Sequence, residues 1–197
     1  MNEPVETWRT FVALDLSPAA KAALAHLQEH LRRKGLALAY THMEDAHLTL
    51  AFLGEVRPPV IDALKPKLDE VAAGCDGFEL KLGAGGFFGP PSSPRVAWVG
   101  VEESPVLIAL QSAVAGAVRA TGIELESRPF HPHLTVARIK NRLPPAALTL
   151  IKSSINTTTI PPVPVDRVLI MRSQPGGSGP KYSAVHIAHL KGNQHHG

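Results

Sequence analysis

Two short phrases carry most of the chemistry this chain can offer. HLTLAFLG at 47–54 and HPHLTVAR at 131–138 each contain the order His, aliphatic, Thr, aliphatic: His47-Leu48-Thr49-Leu50 and His133-Leu134-Thr135-Val136. Side chains on a strand alternate between its two faces. Strict alternation groups His47 and Thr49 with Ala51 and Leu53, and leaves Leu48, Leu50 and Phe52 on a more apolar face. It likewise groups His131, His133, Thr135 and Ala137 against Pro132, Leu134 and Val136. Residues two apart on a strand are separated by roughly 6.5–7 Å, so one His and one Thr can reach the same small group lying over the sheet. Two imidazoles titrating near neutrality make an acid–base pair, one neutral and one protonated. Two hydroxyls donate to the non-bridging oxygens of a phosphate. The set suits phosphodiester chemistry without a metal. One such phrase alone would read as an ordinary strand holding a satisfied histidine; the second copy, on the equivalent face, points to a site.

Other chemistries fit less well. Glu44 and Asp45 precede His47, but no acidic residue accompanies His133, so carboxylate-rich Mg²⁺ ligation is not expected. His131, His133 and His47 form a conceivable three-histidine metal set. The intervening Pro132 and the paired threonines suit phosphate better, and neither metal nor cofactor is expected. GAGGFFG at 83–89 lacks both the G-x-G-x-x-G spacing and the Lys-Ser/Thr of a P-loop, and reads as a flexible connector. His26, His30, His42, His186 and His189 show no partner pattern, and His195 and His196 belong to a frayed tail over about 192–197.

The elements that would position the phrases alternate along the chain. Strands are expected at 8–16, 36–40, 47–54, 78–82, 93–102, 130–140, 165–173 and 181–191. Ser17-Pro18 opens a helix to about Lys34, closed by Gly35. Further helices are expected from about Val60 to Ala73, with Pro66 inside, and from Pro105 to about Ala120. RLPPAAL at 142–148 has room for one helical turn. Several neighbouring strands are joined by loops too short for crossover helices, which argues for an α+β fold with antiparallel sheets. Each half has a helix and one His-x-Thr strand, as an internal duplication would give. We therefore expect residues 1–197 to form one two-lobed domain with a central cleft.

Composition narrows the class. The 197 residues are 44% hydrophobic and 19% charged, with a net charge of +3, which suits a globular chain with a phosphate-bearing partner rather than a nucleic-acid coat. The single cysteine, Cys75, rules out an internal disulfide and a cysteine-based metal cage. No stretch approaches the ~18 apolar residues of a membrane helix. MNEPVETWRTFVALDL carries two glutamates and no basic start, so no secretory leader is expected. A cytoplasmic monomer is the simple reading.

The stretches RTFVALDLSP (9–18), HLTLAFLGEV (47–56), SPRVAWVGV (93–101), RPFHPHLTVAR (128–138) and MRSQPGGSGPKYSAV (171–185) resemble the two-histidine (2H) phosphoesterase superfamily. Within it they are most similar to the bacterial and archaeal RNA 2′,3′-cyclic phosphodiesterases, long labelled 2′-5′ RNA ligases. The resemblance implies two pseudo-symmetric α+β lobes around a groove. It implies hydrolysis of a terminal 2′,3′-cyclic phosphate of RNA to a 2′-phosphate. Some members also join tRNA halves through a 2′-5′ linkage without ATP, the reverse chemistry with a 5′-hydroxyl in place of water. Carried onto this chain, His47 and His133 become the acid–base pair, with His133 as base and His47 as acid. Thr49 and Thr135 become phosphate ligands, and Arg138 adds positive charge. Strict alternation sets Arg138 on the face opposite His133, so it reaches the cleft only if a bulge or strand end turns it in. Ser173 and Tyr182 match positions flanking the family's glycine-rich turn. Phe11, Phe88 and Phe130 are candidates for lining the cleft or stacking on a base, against plain core packing. Two rival functions remain: a phosphodiesterase acting on a small nucleotide, such as a cyclic nucleotide or 2′-5′ oligoadenylate, and a non-catalytic RNA-end-binding module.

Overall fold

Short apolar strands and proline-started helices follow one another along the chain. A computed structural model describes residues 6–176 and 180–192. The strands are β1 (Trp8–Asp15), β2 (Ala39–Tyr40), β3 (His47–Val56), β4 (Phe78–Leu80), β5 (Leu82–Phe88), β6 (Val96–Val101), β7 (His133–Arg138), β8 (Val163–Val165), β9 (Arg167–Gln174) and β10 (Lys181–His189). The helices are α1 (Pro18–Arg33), α2 (Pro58–Ala73), α3 (Pro105–Arg119) and α4 (Pro145–Thr157). Residues 193–197, which hold most of the expected frayed tail, and 177–179 of the QPGGSGP loop lie outside the described residues. No helix among the described residues is long and apolar enough to cross a membrane.

Local chemistry explains the helix starts. Ser17 accepts a hydrogen bond from the Ala20 amide, and Ser104 from the Leu107 amide, each at 3.3 Å. Proline occupies the first position of all four helices, where a missing N–H costs nothing. That is why α2 begins at Pro58, two residues before the expected start. α4 runs from Pro145 to Thr157 where a single turn was expected. Its β-branched residues argue locally against helix, but Ile151, Ser154 and Ile155 fall on one buried face, and packing overrides propensity.

Two four-stranded sheets result, in the orders β10-β9-β1-β3 and β2-β7-β6-β5, with antiparallel pairing throughout. β4 and β8 form a small two-stranded sheet. The core runs through the whole molecule, from Leu14, Leu24 and Leu48 to Leu107, Leu134 and Ile155. Each large sheet holds one of the two phrases. The sheets are not the two sequence halves, however. β2 leaves the first half to pair with β7, and β9 and β10 return from the C-terminal end to pair beside β1.

The glycine-rich stretch at 83–89 is a strand rather than a flexible connector. A Cβ on Gly85 would collide with Ile155 Cγ2 and the Trp98 carbonyl, and one on Gly100 would press on the Ala84 carbonyl. These glycines let β5, β6 and α4 close on one another, which the composition alone disguised as looseness.

Candidate active site

β3 and β7 repeat the same burial rhythm from their histidines onward: half-buried His, buried aliphatic, half-buried Thr, then two buried residues and an exposed one. The doubled buried pair is the mark of a bulge. On β7, Ala137 pairs with Ala97 and Thr135 with Trp98, so Val136 is an extra residue. On β3, Ala51 pairs with Val12 and Thr49 with Ala13, so Leu50 is an extra residue. A bulge resets alternation beyond it. Arg138 therefore returns to the face of His133 and Thr135. Phe52 does the same on β3, correcting the expected alternation: Ala51 and Leu53 are buried, and Phe52 is exposed. The Arg9 guanidinium lies 4.8 Å from the centre of the Phe52 ring.

A cavity of about 390 Å³ has His47, Thr49, His133, Thr135, Arg138 and Tyr182 in its wall. Both phrases thus face one space. His42, which showed no partner pattern in the sequence, lines it as well, with Tyr40 and Thr41.

The histidines are held alike. His47 Nδ1 lies 2.7 Å from the Asp45 carbonyl, and His133 Nδ1 lies 2.7 Å from the His131 carbonyl. A carbonyl can only accept, so each Nδ1 carries the proton and donates. Each ring's Nε2 is left as the atom that exchanges protons. His131 itself is exposed, precedes the strand and is not in the cavity wall; its carbonyl is what holds His133. Among the described residues, no three His, Cys, Asp or Glu side chains gather as metal ligands would.

Aromatic side chains surround both rings. Phe11 stacks on His47 at 4.5 Å, and Tyr182 meets His47 edge-on at 5.3 Å. On the other side Phe88 meets His133 edge-on at 4.6 Å, and Trp98 stacks on Phe88 at 5.1 Å. Trp98 was not singled out from the sequence, though SPRVAWVGV contains it. Burial pushes the His47 imidazole below its ordinary pKa, outweighing the Asp45 carbonyl and the Asp45 and Asp15 charges; Lys21 adds to the lowering. Burial also raises the Tyr182 phenol, assisted by Asp45 and opposed by Arg138 and Arg9. Neither arginine forms an ion pair among the described residues, so both cations are open to an anion.

The remaining candidates divide. Ser173 sits in register with Arg9 and Tyr182 on the first sheet, beside the cavity rather than in its wall. Phe11 is 4% exposed and acts on His47 from beneath. Phe130 packs against the core and does not line the cavity.

Residues 16–177 match the family model described as the 2′-5′ RNA ligase superfamily. This chain belongs to that superfamily. Its relatives include an RNA 2′,3′-cyclic phosphodiesterase of Thermotoga maritima, 31% identical over 93% of this chain and 96% of that one. Another of the same description, from Geobacillus stearothermophilus, is 32% identical over 89% of this chain, which spans only 55% of that protein's length. Among solved structures, E. coli LigT complexed with 3′-AMP superposes with a TM-score of 0.72 at 27% identity, covering 94% of this chain and 99% of LigT. The α+β architecture of this superfamily member is thus that of solved relatives.

Proposed function

We propose that this protein opens the terminal 2′,3′-cyclic phosphate of RNA to a 2′-phosphate, using His47 and His133 as its acid–base pair. The observation that carries the reading is the matched pair of imidazoles on one cavity. Each is fixed by a backbone carbonyl at Nδ1 and each is followed by a threonine on the same face. Relatives described as RNA 2′,3′-cyclic phosphodiesterases support the substrate. In the reaction one imidazole takes a proton from water as its oxygen attacks phosphorus. The P–O3′ bond breaks, and the other imidazole protonates O3′. Thr49 and Thr135 donate to the non-bridging oxygens, and Arg138 offsets their charge.

The sequence reading gives the base role to His133. Burial of His47 favours the opposite order, because it holds that ring toward the neutral form in the free protein. The pH profile of kcat/KM separates the two. If His47 is the base, His47→Ala abolishes the acidic limb; if it is the acid, the alkaline limb disappears.

The direct test is to incubate the protein in EDTA with a short RNA ending in a 2′,3′-cyclic phosphate and to separate the 2′- and 3′-phosphate products. Conversion to the 2′-phosphate supports the reading. Retention of the RNA without conversion points instead to an end-binding module.

A further inference from the structure

The extra residues Val136 on β7 and Leu50 on β3 each accept at their carbonyl a hydrogen bond from a glutamine side chain of the opposite half of the chain. Gln28, on α1, is 3% exposed, and its Nε2 donates to the Val136 carbonyl on β7 and to the Thr41 carbonyl, each at 2.8 Å. The Thr41 amide adds a second donor to Val136 at 3.2 Å. Gln111, on α3, donates from Nε2 to the Leu50 carbonyl on β3 at 3.2 Å. Val136 is the extra residue of β7, and Leu50 is one of two on β3, the other being Leu53. The helix of each half therefore grips the bulge of the other half's His-x-Thr strand.

We infer that Gln28 and Gln111 are positioning residues: Gln28 locks the bulge that turns Arg138 onto the cleft, and Gln111 locks the bulge after which Phe52 turns outward beneath Arg9. For Gln28 the inference rests on the reading of Arg138 as a phosphate ligand. A bulge is an added residue that a strand can shed by slipping its register, and a one-residue slip sends every later side chain to the other face. His133 and Thr135 lie before the bulge, held by pairing with Gly100 and Trp98, so they keep their places. Arg138 lies after it. An isolated buried amide also has no reason to sit under a sheet unless it has work: both Nε2 hydrogens of Gln28 are used. The same arrangement arises twice, on different helices and at different turns, which a chance contact does not explain.

Gln28 should then act through Arg138. The test is a double-mutant cycle of Gln28→Met and Arg138→Ala, reading the Kd for adenosine 2′-monophosphate by calorimetry and kcat/KM for the cyclic phosphate. Each single change is expected to weaken binding about tenfold, the scale of one lost charge-assisted hydrogen bond. The double variant is expected to weaken it no more than about twofold beyond either single. Additive losses near a hundredfold would overturn the inference while leaving the proposed reaction standing. If the wild-type protein neither binds nor converts these ligands, the proposed reaction falls, and a ligand-free readout decides the inference. In hydrogen–deuterium exchange, Gln28→Met should raise uptake over 134–139 but not over 48–53, and Gln111→Leu the reverse. Uniform or absent changes would show that the glutamines only fill space.

Discussion

At the residue scale the site is two histidines treated differently. Their tautomers are set the same way and each opens its strand, yet His47 stacks on Phe11 beside Tyr182, with Asp15, Asp45 and Lys21 close by, whereas His133 meets Phe88 and Trp98 edge-on. His47→Ala and His133→Ala are each expected to lower turnover about 10²–10⁴-fold with the fold intact, the usual cost of a lost acid or base. Steady-state rates with circular dichroism as the control check this. Burial also links His47 to stability. Its folded pKa lies below its ordinary 6.5, so the unfolded chain binds the proton more tightly and stability falls as pH drops through that range. His47→Gln, which cannot charge, should therefore gain stability relative to wild type at pH 5 compared with pH 8. Urea midpoints at the two pH values measure it, and an unchanged difference would contradict the buried setting. The sequence made both histidines and both threonines legible, because their types and spacing suggest a chemistry; Arg138 came from the family resemblance alone, since simple alternation turned it away from the cleft. It did not reveal Gln28, Gln111 or Trp98, since each acts on a residue far along the chain and nothing beside it in the sequence says so.

At the element scale the bulges decide what the strands present. Simple alternation put Arg138 on the wrong face and Phe52 on the core side. The inserted residues Val136 on β7 and Leu50 on β3 correct both, and no local sequence signal marks where a strand will take an extra residue. Arg138→Lys keeps the charge but loses the planar fork, so it is expected to raise KM several-fold with a smaller change in kcat, while Arg138→Ala raises it further. Equal kinetics for all three proteins would remove Arg138 from the phosphate site. The glycine strand makes a second prediction. Gly85→Ala should destabilise the fold by about 1–3 kcal/mol, as overpacking does, because neither the Trp98 carbonyl nor Ile155 can retreat far. A chemical denaturation curve reads it directly. Strand and helix order was largely visible in the sequence; the lengths of α4 and β5 were not, because burial against partners distant in the chain set them.

At the scale of the whole molecule the duplicated pattern predicted two lobes, and two four-stranded sheets exist, each with one His-x-Thr strand. The sequence halves do not coincide with them. β2 crosses to the second sheet, β9 and β10 cross back to the first, and the glutamine grips run the same way. Topology of this kind is set by long-range pairing, which repeat patterns do not encode.

The exchange makes the chain divisible in an unusual manner. Residues 123–132, between α3 and β7, contain neither helix nor strand and are largely exposed. A chain severed there yields one fragment with His47, β1, β3 and three strands of the second sheet, and another with His133, β9 and β10. Neither piece owns a complete large sheet or both imidazoles. Each should be silent alone, and turnover should appear only when the two are combined, rising with the concentration of the scarcer one. Fused to a pair of interacting proteins, such fragments would report their encounter as the conversion of a cyclic phosphate end to a 2′-phosphate end.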